Sequence, residues 1–219
     1  MRGRIRSLDD GGAPSVIVPR MIRVFHRERA GRPLRIIWTL EEVGAPYELI
    51  VMTREEGRAE QHRGRHPLGR VPVLEDDQGF VFESAAMCLH VGDLHPDAQL
   101  VPPLGTHERA LVYQWACFAP AELEPPLFEA WTQAERDPAR AATARKRFTA
   151  AAEAVVGALD GNEYLVGGRF SVADVLVGSA LLFTTRVGIA HELPPTLTGY
   201  VGRLAQRPAF QQAAKSTFG

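Results

Sequence analysis

The sequence predicts a mixed α/β unit followed by an all-α unit. Three observations carry this expectation. Residues 22–51 read as strand, helix, strand; residues 71–91 read as a hairpin followed by a helix; beyond a proline-rich stretch at 94–106, the apolar spacing is that of helices. A strand–helix–strand run of about 30 residues makes its two strands parallel, because only a crossover connection joins them.

Taken in order, Ile22-Arg23-Val24-Phe25-His26 alternates and is rich in β-formers, so it is a strand. A loop, 27–32, follows. Pro33 suits the first turn of a helix, where its missing N–H would be unpaired anyway. Leu34, Ile37 and Leu40 recur at helical spacing, Ile36 and Val43 widen the apolar face, and Gly44 is a left-handed stop. Tyr47–Val51 is the second strand, and 53–69 reads as a polar loop rich in Arg, Gly and His. Val71–Leu74 is strand-like but carries Pro72; residues 75–79 form a hairpin turn, Phe80-Val81-Phe82 the return strand. Ser84 then caps a helix through Ala85, Met87, Leu89 and Val91. Helices are expected at 106–119, 138–158, 171–187 and 197–207, with a short one at the C-terminus. Ser171 caps the third of these and Asp174 answers back to the Ser171 N–H. The domains are accordingly 21–95 and 106–219. Residues 1–20, without period, read as a loosely ordered extension whose apolar run, Val16-Ile17-Val18, is too short for a signal peptide.

Composition narrows the function. Of 219 residues, 45% are hydrophobic and 23% charged, and Lys+Arg 25 against Asp+Glu 26 leaves a net charge of -1. That balance favours neither nucleic acid nor an anionic membrane. No apolar stretch reaches the length of a spanning helix. The two cysteines, Cys88 and Cys117, match no zinc spacing and no disulfide framework, and read as small buried hydrophobes. No metal is expected.

Three features converge on a ligand site. Pro72 interrupts a strand; a cis Val71–Pro72 bond would turn the Val71 N–H and C=O outward, towards an extended peptide ligand. Glu83-Ser84 sits where strand gives way to helix, so free N–H groups suit a ligand carboxylate and Glu83 suits an ammonium. The loop 27–32 opens the first helix and presents its amides to the same side. An acid beside a hydroxyl and free amides fits an amino-acid zwitterion. His26 reads as structural, and His62 and His66 as turn residues.

The runs Pro33-Leu34-Arg35-Ile36-Ile37-Trp38-Thr39-Leu40-Glu41-Glu42-Val43-Gly44-Ala45-Pro46-Tyr47-Glu48, His66-Pro67-Leu68-Gly69-Arg70-Val71-Pro72-Val73-Leu74, Phe82-Glu83-Ser84-Ala85-Ala86 and Phe170-Ser171-Val172-Ala173-Asp174 together resemble the glutathione transferase family over residues 21–210. The resemblance implies an α/β thioredoxin-like N-terminal domain, an all-α C-terminal helical domain, a homodimer and a cytoplasmic enzyme. It implies that Val71 pairs through its backbone with the cysteinyl part of glutathione, that Glu83 and Ser84 hold the γ-glutamyl end, and that Arg70 contributes to the same site. The reaction would be conjugation of the glutathione thiolate to a small apolar electrophile, or reduction of a hydroperoxide. Such families place Ser, Tyr or Cys just after the first strand. Residues 24–35 hold none, and Ala30 or Gly31 falls there. No catalytic residue is therefore assigned. The expected substitutes are loop amides near Ala30–Gly31 and one of Arg27, Arg29 and Arg32. The second substrate is expected against the first C-terminal helix, near Tyr113, Trp115, Cys117 and Phe118. A non-catalytic thiol-binding or interaction domain on the same scaffold, or a related low-molecular-weight thiol in place of glutathione, stands as the alternative.

Overall fold

The computed structural model describes residues 21–28 and 30–218; the extension expected over 1–20, Arg29 and Gly219 lie outside the described residues. Strand β1 is Ile22–His26, helix α1 Pro33–Val43 and strand β2 Tyr47–Val51. Pro33 opens α1, and Gly44 closes it at φ 65°, returning its N–H to the carbonyls of Leu40 and Glu41. Strands β3 (Val73–Asp76) and β4 (Gly79–Phe82) form the hairpin, and α4 (Ser84–Leu94) follows. The sheet order is β2-β1-β3-β4, with β1 parallel to β2 and antiparallel to β3. This mixed sheet with its helices is the thioredoxin-like unit the motifs implied.

Ile22 and Val24 face the main core, while Phe25, on the opposite face, packs with Met52 and Val73 in a smaller cluster. Every residue of α1 from Pro33 to Leu40 is buried. An amphipathic surface helix hides one stripe, so burial all round means that α1 lies between two layers. The second layer is helical: α5 (His107–Phe118), α6 (Glu124–Gln133), α7 (Pro138–Leu159), α8 (Val172–Arg186), α9 (Pro195–Ala205) and α10 (Pro208–Phe218). Trp38 of α1 is fully buried against the rings of Phe170 and Phe210, at 5.7 and 4.9 Å. Glycine at 178 lets α9 close on α8: a Cβ there would stand 2.3 Å from Leu204 Cδ1.

Two segments depart from the sequence reading. The loop expected over 53–69 contains α2 (Arg54–Arg58) and α3 (Glu60–Arg63). A capping box starts α2: Thr53 Oγ1 accepts from the Glu56 N–H at 3.1 Å, and Glu56 Oε2 accepts from the Thr53 N–H at 2.7 Å. The second departure is α6, which the sequence reading omitted. Pro125 and Pro126 occupy the first turn of α6, where proline is tolerated. A π-helical turn, Ala119–Leu123, joins α5 to it.

The start of α8 is held by one buried carboxylate. Asp174 accepts from the Ser171 N–H (2.9 Å), the Ser171 hydroxyl (3.1 Å), the Leu165 N–H (3.0 Å) and the Tyr200 hydroxyl (2.9 Å). At the hairpin, Asp76 accepts from the Gln78 and Gly79 amides at 2.8 and 3.1 Å and from His90 at 2.8 Å. Burial opposes the Asp76 charge, but these donors together hold its carboxyl below the usual range.

Replacement of Asp174 by Ala strands four donors and is expected to cost at least about 3 kcal/mol in urea unfolding, with Asp174→Asn costing less; a loss under about 1 kcal/mol would contradict the role given to this carboxylate. Asp76 releases its proton more readily in the folded chain than in the unfolded one. Its contribution is therefore complete above the ordinary carboxyl value of about 4 and lost as pH falls through the lower folded value. Urea titrations from pH 7 to pH 3 should find wild type more stable than Asp76→Asn at neutral pH, with the gap closing on acidification.

Candidate functional site

The hairpin register pairs Val73 with Phe82. The residues just before Val73 therefore lie beside those just after Phe82, which brings Val71 next to the Glu83–Ser84 junction. The Val71–Pro72 bond is cis, and the Val71 amide and carbonyl have no hydrogen-bond partner among the described residues. Glu83 is exposed and holds φ 70°, ψ 112°, a left-handed conformation that costs a non-glycine residue about 1–3 kcal/mol.

Ser84 departs from its expected place. It is the first residue of α4 rather than its cap, and its hydroxyl makes no capping bond. Ser84 Oγ instead accepts from Arg35 at 3.2 Å. Arg35 is buried and also donates to Ser179 Oγ of α8 at 2.7 Å; its remaining nitrogen lies 2.6 Å from a carboxylate oxygen of Glu124 on α6. Glu124 is shared with Arg32, whose Nε lies 3.1 Å away. Nothing in the sequence pattern singled out Arg35, Glu124 or Ser179. Their partners are up to 144 residues apart in the chain, and only packing brings them together.

Between the two units runs a cleft of about 1170 Å³. Gly31, Arg32 and Arg70 stand on its sheet-side wall, and Phe128, Phe183 and Phe218 on its helical wall. Phe128 and Trp131 form an edge-on pair at 5.6 Å, and Trp131 meets Phe183 at 5.9 Å. The apolar wall thus comes from α6, α8 and α10. The residues expected on α5 do not border this cleft. Trp115 is buried and packs on Phe118, Arg109 lies over the Tyr113 ring, and neither Tyr113 nor Cys117 borders the cleft.

The loop before α1 divides. Arg27 and Ala30 border a separate polar pocket of about 520 Å³ with Thr53 and Arg54, whereas Gly31 and Arg32 border the main cleft. The Gly31 and Arg32 amides have no acceptor among the described residues. With Pro33 at the helix start and no side-chain cap, this end of α1 carries partial positive charge. Neither cysteine can stand in for the absent thiol. Burial pushes the Cys88 thiol up to about 12, and Cys117 is exposed away from the cleft.

The histidines hold the scaffold. His62 is fully buried and its Nε2 meets the Arg70 carbonyl at 2.8 Å. His66 accepts from the Leu68 N–H at 3.1 Å and stacks 4.8 Å from Phe82; burial lowers its pKa below the usual imidazole value. His26 is buried at the end of β1, and burial likewise lowers it. Among the described residues no cluster of three or more His, Cys, Asp and Glu could hold a metal, and no helix is long and apolar enough to cross a membrane.

Comparison with known proteins agrees with this arrangement. The family model for the N-terminal domain of glutathione S-transferases matches residues 22–93, and that for the C-terminal domain matches residues 109–208. Glutathione S-transferase 4 of Zea mays is 31% identical over 194 residues, covering 83% of this chain and 86% of its own. A glutathione transferase structure from Methylococcus capsulatus superposes with TM-score 0.80 at 26% identity, covering 90% of this chain and 98% of that one. A sphingomonad glutathione S-transferase structure complexed with glutathione superposes with TM-score 0.78 at 28% identity, covering 89% and 98%. Each half of the fold is matched by its own domain model of the same family, and the chain belongs to the glutathione S-transferase family.

Proposed function

We propose that this protein binds glutathione along the Val71–Ser84 edge and transfers its thiolate to a small apolar electrophile held in the interdomain cleft. The observation that carries this reading is the register at Val73–Phe82. It sets an unpaired backbone amide and carbonyl beside an exposed carboxylate and a helix-start hydroxyl. Val71 would pair with the cysteinyl backbone. Ser84 and the free amides of α4 would take the glutamyl carboxylate, and Glu83 the glutamyl ammonium. Arg70, on the cleft wall, adds positive charge for an anionic tripeptide. On this reading residues 21–95 form the glutathione-holding domain and 106–219 the helical one. A cytoplasmic homodimer accompanies it, with exposed Leu68 and Phe82 as surface for a second copy.

A thiol of pKa about 8.5 is only about 3% thiolate at pH 7, and lowering it by two units needs about 2.7 kcal/mol of preferential stabilisation of the anion. With no hydroxyl or thiol in the loop, that stabilisation falls to the Gly31 and Arg32 amides and the Arg32 guanidinium. Arg32 is selected over Arg27 because it borders the cleft together with Gly31. Phe128, Phe183 and Phe218 would receive the apolar electrophile. Displacement of halide from an aryl halide is the simplest such transfer, and reduction of a hydroperoxide uses the same thiolate. The absence of a hydroxyl or thiol beside the sulfur position favours one second reading, a thiol-binding protein with little turnover. Glutathione binding without turnover of an aryl halide would select it.

Ser84→Ala removes a hydrogen bond to a charged group, worth about 1.5–3 kcal/mol, and should raise the KM for glutathione by roughly 10- to 100-fold in aryl halide turnover; an unchanged KM would place the glutamyl end elsewhere. The thiolate absorbance of bound glutathione should titrate below pH 8.5 in the wild-type complex. Arg32→Ala should move that titration up by about one unit, while Arg27→Ala leaves it in place. If neither substitution moves it, the guanidinium has no part in activation.

A further inference from the structure

We infer that Arg35 is a positioning residue for glutathione: it fixes the direction in which Ser84 donates, and it ties that direction to the docking of the helical domain. The inference rests on the reading that the glutamyl carboxylate occupies the start of α4.

Arg35 is 4% exposed. A buried guanidinium is costly unless it is paired and hydrogen-bonded, and here two of its nitrogens donate to hydroxyls and the third lies in ion-pair contact with a carboxylate, each on a different helix. Nε donates to Ser179 of α8, one terminal nitrogen to Ser84 of α4, and the other pairs with Glu124 of α6. A guanidinium has donors and no acceptor. Ser84 Oγ must therefore accept from Arg35, which leaves the hydroxyl hydrogen to point elsewhere. No acceptor takes it among the described residues, so Ser84 is set as a donor at the N-terminus of its own helix. The positive charge behind the oxygen strengthens that donation towards an anion. Ser179 is locked in turn, donating to the Leu176 carbonyl at 2.9 Å.

Two of the three partners belong to the helical layer. The geometry of a hydroxyl in the α/β unit is thereby set, through Arg35, by Ser179 of α8, which lies 144 positions from that arginine in the chain, and by Glu124, the same carboxylate that steadies Arg32 at the cleft. A scaffolding role alone would be served by Ser179 and Glu124; the bond to Ser84 adds a consequence for the ligand.

The test is a double-mutant cycle of Arg35→Lys and Ser84→Ala, read as glutathione affinity by titration calorimetry. A single ammonium keeps the charge but cannot serve three partners at once. Arg35→Lys is expected to weaken glutathione binding about tenfold when Ser84 is present and less than about twofold in the Ser84→Ala background. It should leave the affinity for 4-aminobutanoyl-cysteinyl-glycine, which lacks the glutamyl α-carboxylate, within about twofold of wild type. Equal losses in both backgrounds, or equal losses for both ligands, would overturn the inference and leave Arg35 a structural residue. If Arg35→Lys does not fold, Ser179→Ala enters the same cycle with the same expected non-additivity, and additivity there also overturns the inference. A wild-type protein without affinity for glutathione would instead overturn the proposed function, and the inference with it.

Discussion

The burial of α1 on every side is the constraint on which the rest of the structure depends. Ile36, Ile37, Trp38 and Leu40 have no exposed surface, and at about 1.5–3 kcal/mol for each fully buried large side chain they make the helix the main shared element of both layers. A helix used by two layers removes the freedom with which two domains would otherwise slide. Its ends are then fixed by charge. At the C-terminal end, Glu42 accepts from Arg207 through both oxygens, at 2.6 and 2.7 Å, and from the Trp38 indole at 2.8 Å, while Arg207 lies 3.6 Å over the Phe170 ring. At the N-terminal end, Arg35 and Arg32 share Glu124.

That arrangement accounts for where the cleft lies. The N-terminus of α1 opens on the space between the layers beside Gly31 and Arg32, and the helices opposite present aromatic rings together with Glu129, Arg140 and Arg186. On the proposed function, holding a thiolate in a chain without a hydroxyl or thiol in the loop falls to backbone donors, which need no particular side chain, and to a guanidinium that its carboxylate partner has already oriented.

The strands, α1, the hairpin, α4 and most of the C-terminal helices were legible because their signals are local. Apolar spacing, Pro33 at a helix start, Gly44 at a helix end and the Ser171–Asp174 pair each act within a few residues. The misreadings are of a different kind. Thr53 and Glu56 form a capping box, but the charged run around them masked it. Pro125 and Pro126 stand in the first turn of α6, and which side of a helix boundary a proline occupies is settled by what packs behind it. Without α6, the sequence reading had no place for Glu124 and Phe128, and it set the second substrate against α5.

By itself, then, the sequence determined the four strands, α1, α4 and most of the C-terminal helices, and put forward Val71, Glu83 and Ser84 as candidates for a ligand, because periodicity, capping and turn chemistry are properties of neighbouring residues; resemblance to the family added Arg70. The tertiary structure alone decided that Ser84 spends its lone pair on Arg35, that Glu124 links two arginines, and that α6, α8 and α10 wall the cleft. Those contacts join residues far apart in the chain, and their energies exist only once burial has stripped water from the groups and left each donor one acceptor to meet.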